Sequence, residues 1–232
     1  MRQLTDLPAW ERLLKRIVWS QIGEPEGLTI LDFGSGEGIT ADHYAASNTV
    51  FAVEPSAEML SDAWRDHPYE QIVGSVSALS RFADESFDFI FCHNVLEYVD
   101  DKASVIRELA RLLKPGGRLS VVKHNRTGRI MQMAVLLDDT DRANALLNGE
   151  NSESSRFGTI RYYADGEISA WDSRLRLEET FGIRTFWDLQ QKQEKHGQED
   201  WQQRMMQLEM RVSRIEDFRR VAFFHHLIFV RL

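Results

Sequence analysis

Leu31-Asp32-Phe33-Gly34-Ser35-Gly36-Glu37-Gly38 decides how this chain is read. The segment closes a short strand-like run, Leu28 to Phe33, and leads into a helix expected from about Glu37. Glycines are required where the backbone turns sharply and a ligand comes so close that a Cβ would obstruct it. The spacing is Gly-x-Gly-x-Gly, and Ile39 stands where a dinucleotide fingerprint needs its last glycine. Asp32, leading into the loop, suits a ligand bearing an ammonium group better than a pyrophosphate. Glu54 ends the next predicted strand, 22 positions after Asp32. A carboxylate there can accept hydrogen bonds from both hydroxyls of a ribose.

Strand and helix patterns alternate on both sides of the loop. Ala9 to Gln21 has the spacing of an amphipathic helix, with Trp10, Leu13, Leu14, Ile17 and Val18 on one stripe. Strands are expected at 49–53, 70–73, 87–92 and 119–122, and helices at 57–65 and 102–113. Lys114-Pro115-Gly116-Gly117 stops the last of these helices and turns the chain. Five strands alternating with helices imply a parallel sheet covered on both faces. Beyond Asn125 the spacing predicts a long helix at 128–147, a polar loop at 148–155, a helix at 167–180 and a strand at 183–187. A charged helical stretch at 188–215 and a closing strand at 221–230 complete it. The expectation is one domain: residues 1–27 an N-terminal helix, 28–124 a ligand-binding core, and 125–232 the substrate-side helices and last two strands.

The 232 residues include 43% hydrophobic and 10% aromatic side chains, enough for a real core and too apolar for disorder. One cysteine, Cys92, excludes an internal disulfide framework and a cysteine-based zinc site. No signal-peptide or membrane-span pattern is found, so a cytoplasmic protein is expected. The net charge of −8 is uneven: residues 1–100 hold 6 Lys+Arg and 17 Asp+Glu, whereas Leu109 to Leu137 holds six bases and no acid. That basic segment, Arg111 to Arg129, suggests a site for an anionic partner; a solvated face without acids is the other reading.

The glycine motif, Glu54 at the end of the second strand and the Lys-Pro-Gly-Gly turn resemble the class I S-adenosylmethionine-dependent methyltransferases over roughly residues 28 to 124. The resemblance implies a Rossmann-like α/β fold: a seven-stranded sheet, helices on both faces and a C-terminal helical insertion. It implies S-adenosyl-L-methionine as cofactor. It also implies that Asp32, Gly34, Ser35, Gly36 and Gly38 form the cofactor loop and that Glu54 holds the ribose. Pro55 and Met59 would flank the adenine, and Ser75, Val76 and Ser77 would meet its edge, although many relatives have Asp at position 75. His93 would touch the amino acid end; a strand-end histidine satisfied by backbone is the alternative.

The run His93-Asn94-Val95-Leu96-Glu97-Tyr98-Val99, with Asn125, Gly128 and the charged C-terminal pattern, is similar to the bacterial tRNA 5-carboxymethoxyuridine methyltransferases. Arg2 would then pair with the cofactor carboxylate. The N-terminus is shorter than in that family, and His124 replaces an expected tyrosine. An ionised carboxylate acceptor needs alignment and desolvation, not a general base, so no catalytic acid or base is assigned. His124, Asn125, Arg126 and Arg129, beyond the fifth strand, are expected to form the substrate mouth, since ligands bind at that edge of open α/β sheets. The expected acceptor is a carboxylate on a modified wobble uridine of tRNA. The alternatives are a small-molecule methyltransferase with a small anionic substrate, or a non-catalytic cofactor-binding regulatory module, and no membrane or DNA-readout motif is present. Tyr98 and Lys102 have dehydrogenase spacing without the matching glycine loop. His225 and His226 point to opposite faces of a strand, so no metal site is expected. Trp171, Trp187 and Trp201 could stack a base or pack the core.

Overall fold

The computed structural model describes residues 3–232, so Arg2 lies outside the described residues. Helix α1 (Ala9–Ile22) buries Leu13, Leu14, Ile17 and Val18 and ends at Gly23, whose φ of +83° favours glycine. It is followed by β1 (Thr29–Phe33), α2 (Ile39–Ala45), β2 (Thr49–Glu54), α3 (Ala57–Ser61), β3 (Glu70–Val73) and β4 (Phe87–His93). Next come α4 (Lys102–Leu112), capped by Asp101 accepting from Ser104 N at 2.8 Å, and the long β5 (Leu113–His124). The second half contains α5 (Arg126–Met131), α6 (Thr140–Leu147), the short hairpin β6 (Ser152–Ser154) and β7 (Gly158–Ile160), and α7 (Glu167–Trp171). Strand β8 (Leu175–Ile183), α8 (Glu199–Val212), α9 (Glu216–Arg219) and β9 (Phe224–Arg231) complete it.

Seven strands form one mixed sheet in the order β3-β2-β1-β4-β5-β9-β8. The first five are parallel, and β9 runs antiparallel to both β5 and β8. Alternation along β4 divides the core. Ile90 and Cys92 pack with Val105, Ile106 and Leu109 of α4, while Phe89 and Phe91 pack with Ile39 and Tyr44 of α2. Helix α1 packs against Val122, Ile183 and Phe224 further along the sheet. The Lys114–Gly117 turn is an excursion within β5. Phe87 pairs with Leu113 and Phe89 with Arg118, so β5 advances five residues against two.

Four expectations for the second half are corrected. The long helix at 128–147 is broken: α5 runs into a π-type turn at Gln132–Leu136, Asp138 adopts φ +53°, and Asp139 caps α6. The helix expected at 167–180 ends at Trp171, and 175–183 is strand β8; consequently 183–187 is not a strand. Only 199–212 of the charged stretch forms an extended helix.

Candidate functional site

The carboxyl ends of β1, β2 and β4 meet at the glycine loop. Gly34 N and Ser35 N both donate to Val53 O, at 2.8 and 3.1 Å, which fixes the loop to β2. Gly34 and Gly36 have φ of +78° and +58°, and a Cβ would fall 2.2 Å from Val95 Cγ2 or 2.8 Å from Met59 Cε. At Gly34 both conformation and space require glycine; at Gly36 the conformation favours it, since the Met59 methyl can move aside. Gly38 supports the loop from behind. It caps α2, and a Cβ there would lie 2.1 Å from the Tyr69 hydroxyl.

Glu54 is buried and accepts from Gly36 N and Ser56 N, each at 2.9 Å. Two backbone donors leave about half the lone-pair capacity of the carboxylate for a diol. Asp32 is 3% exposed, and its Oδ2 and the Ser35 Oγ are buried with no partner among the described residues. Burial pushes the Asp32 carboxyl up to about 6, with Lys15 drawing it partly back. Lys15 itself, on α1, donates to Thr40 Oγ1 at 3.0 Å; it is a cation beside the loop that no sequence motif marks. Pro55 and Met59 follow Glu54, Pro55 being exposed. Ser75, Val76 and Ser77 open the turn after β3, with the two serine hydroxyls 3.5 Å apart. His93 ends β4, its Nε2 2.8 Å from Ser120 Oγ. Asn94, at φ +55°, then turns the chain across the sheet edge.

On the far side of β5 the four expected acceptor residues separate. His124 and Arg129 line a cleft of about 460 Å³ with Trp10, Arg184, Trp187 and Phe223. Asn125 and Arg126 line another, also about 460 Å³, with Lys123, Tyr162 and Asp165. His124 closes β5 and Asn125 caps α5, so the chain turns between them and the two open into different clefts. The Asn125 side chain is further engaged in capping: its Oδ1 accepts from Thr127 N at 3.2 Å, and its Nδ2 donates to Arg220 O and Ala222 O.

The expected basic patch is likewise dispersed. Arg111 pairs with Glu108 and Asp84, Lys114 with Asp88 and Arg118 with Glu178, all toward the amino end of β5. Arg118 is the nearest of the three to His124, and the strand between them spans about 20 Å. Lys123 is buried against Asp165 at 2.9 Å. Only Arg126 and Arg129 remain at the carboxyl edge without a carboxylate partner among the described residues. Arg184, missed in the sequence, is locked to Asp188, Nε to Oδ2 at 2.8 Å. Arg129 reaches that acid only through Gln132, which accepts from its Nη1 and donates to Asp188 Oδ1 at 3.2 Å. The Arg129 Nε is buried without a partner among the described residues. Burial, with Arg184 and Arg129 nearby, pushes the His124 imidazole down to about 3.

A methyltransferase domain family model matches residues 31–121. A ubiquinone biosynthesis O-methyltransferase of Xanthomonas axonopodis pv. citri is 36% identical over 169 residues, 69% of this chain and 67% of that protein. The chain belongs to the S-adenosylmethionine-dependent methyltransferases. A tRNA 5-carboxymethoxyuridine methyltransferase of Escherichia coli K12 is 29% identical to this methyltransferase over 93% of the chain and 84% of the relative. The fold is shared with an S-adenosylmethionine-dependent methyltransferase of Mesorhizobium loti, at TM-score 0.59 and 16% identity, covering 99% and 100% of the two chains. The residues of the methyltransferase loop suit the cofactor. Partnerless acceptors at Asp32 and Ser35 match an ammonium, glycines leave room where a Cβ would intrude, and Glu54 retains acceptors for a ribose.

Proposed function

We propose that this methyltransferase esterifies a carboxylate carried by a modified wobble uridine of tRNA. The similarity to the Escherichia coli tRNA enzyme spans both the cofactor loop and the acceptor-side half, 93% of the chain. The similarity to the ubiquinone enzyme spans 69%. The observation that carries the reading is Arg129. It is a half-buried guanidinium lining the cleft beside His124, its buried Nε without a partner among the described residues, and a planar carboxylate is the group that a guanidinium recognises.

Bound S-adenosylmethionine supplies a methyl group on a sulfonium. Asp32, Gly34, Ser35, Gly36 and Gly38 would hold its amino acid end and spine, with His93 at that end. Glu54 would hold the ribose, and Pro55, Met59, Ser75, Val76 and Ser77 the base. A carboxylate is ionised at neutral pH, so no side chain has to remove a proton. The work left to Arg129, Trp10, Trp187 and Phe223 is to orient one carboxylate oxygen and exclude water. Arg126, half-buried beside the second cleft, would meet the RNA backbone. A tRNA acceptor implies a cytoplasmic enzyme.

A hydroxyl acceptor on a small metabolite is the competing reading. It needs a base, and His124, held near 3, is a poor one. Radiolabelled methyl transfer to fractionated cell extract, with and without nuclease, separates the two. Label in nuclease-sensitive RNA supports the proposal, and a nuclease-resistant small product overturns it. Arg129→Ala is expected to raise the acceptor KM at least about tenfold, the loss of a charge-assisted bond.

A further inference from the structure

Behind the cofactor loop, four side chains from four elements form a continuous file under α1. Gln21 Oε1, on α1, lies 2.7 Å from His226 Nδ1 on β9. His226 Nε2 lies 2.7 Å from Ser120 Oγ on β5, and Ser120 Oγ lies 2.8 Å from His93 Nε2 on β4. The sheet register sets this up, since His93 and His226 both pair with Val122, two positions from Ser120 on the same face. Ser120 and His226 are fully buried.

Burial keeps both rings neutral, pushing His226 down to about 3 and His93 well below its ordinary value. Each link in such a file then holds one proton, and its direction propagates. Gln21 turns its amide oxygen to His226 and leaves its Nε2 buried without a partner among the described residues; in that orientation the oxygen only accepts, and His226 donates from Nδ1. The His226 Nε2 is then a bare acceptor for the Ser120 hydroxyl. That leaves the Ser120 oxygen to accept from His93 Nε2–H. The other nitrogen of His93, Nδ1, meets no partner among the described residues and carries a lone pair.

We propose that Gln21, His226 and Ser120 are positioning residues that hold His93 in the Nε2–H tautomer. Its open Nδ1 is thereby an obligate acceptor at the cofactor's amino acid end, selecting the ammonium rather than the carboxylate. A histidine free to change tautomer would present an N–H to the ammonium part of the time. The relay stands on this chain's own geometry; the choice of ligand group rests on the placement of His93 at the cofactor given above.

Two measurements test the parts separately. Long-range proton–nitrogen correlation spectra of the 15N-histidine-labelled protein show which nitrogen of each ring is protonated. His93→Asn and His226→Asn supply the assignments. Opposite tautomers are expected, His93 protonated at Nε2 and His226 at Nδ1; the reversed pattern, or the same tautomer in both rings, overturns the relay. Calorimetric titration then compares S-adenosylhomocysteine with methylthioadenosine, which lacks the amino acid end. Ser120→Ala is expected to weaken the first on the order of tenfold and leave the second unchanged, with Ser120→Thr restoring affinity. Equal losses for both ligands would reduce Ser120 to a packing residue and overturn the positioning role. If His93→Ala bound S-adenosylhomocysteine like the parent while the spectra were as expected, the relay would stand and the ligand assignment would fall.

Discussion

Asp32 shows how a residue costly to the fold can stand where the proposed function gives it a ligand to hold. Its folded value of about 6 lies above the ordinary 3.8, because burial disfavours the charge. The difference corresponds to about 3 kcal/mol against ionisation. The stability it contributes is therefore complete below the unfolded value and lost as pH rises through the folded one. With no cofactor added, Asp32→Asn should raise Tm at pH 7.5 by a few degrees and flatten the stability change between pH 4 and 6. The same substitution should weaken S-adenosylhomocysteine at least about tenfold, the loss of a charged partner. A lower Tm at pH 7.5, read by scanning calorimetry, would refute the first half. Asp32 was legible in the sequence because it abuts a glycine motif. Glu97, fully buried and pushed up to about 7 by that burial, has no such neighbour and stands in the sequence as one letter of a longer run. The backbone donor that justifies its burial, His124 N at 2.6 Å, lies 27 positions away.

At the scale of elements, the insertion between β8 and β9 does more than fill space. Glu209 of α8 is 1% exposed and accepts from the backbone of Thr185, Phe186 and Trp187 at 2.7, 2.8 and 3.0 Å. It pins the segment that presents Arg184 and Trp187 to the cleft. Glu209→Ala should strip three buried donors of their acceptor and lower unfolding free energy by at least about 3 kcal/mol in urea. A weakened acceptor KM with unchanged S-adenosylhomocysteine affinity should accompany it. Undiminished stability would show that water or relaxation replaces the carboxylate. Sequence reading predicted the first four strands to within a residue or two, because strands buried on both faces and glycine-closed loops leave few alternatives; β5 begins six residues before its expected start, since the Lys114–Gly117 turn lies inside it. It misread β8 for a physical reason. A bulge between Leu177 and Glu179 breaks the strand's alternation, and the resulting spacing imitates a helix.

Over the whole molecule, a charge of −8 coexists with a proposed RNA acceptor because contact is confined to one edge. The basic run looked continuous in sequence, but β5 carries it from one end of the sheet to the other. Its first three members end in ion pairs remote from the cleft. Two guanidiniums remain, so the logarithm of RNA affinity against the logarithm of salt should have a slope no steeper than about −2. Replacing Arg126 and Arg129 with Ala should bring that slope near zero. A steep slope retained in the double variant would place the RNA elsewhere.

The position of β9 also shapes how the protein is made. It follows β8 in the chain yet lies between β5 and β8, so both strands present open edges to other nascent chains until residues 224–231 have left the ribosome. Those eight residues fill the gap between β5 and β8 and deliver His226 to the file behind His93. Covering the edge of β5 and completing the file are thus one event in synthesis: a chain stalled before β9 is both adhesive and unfinished.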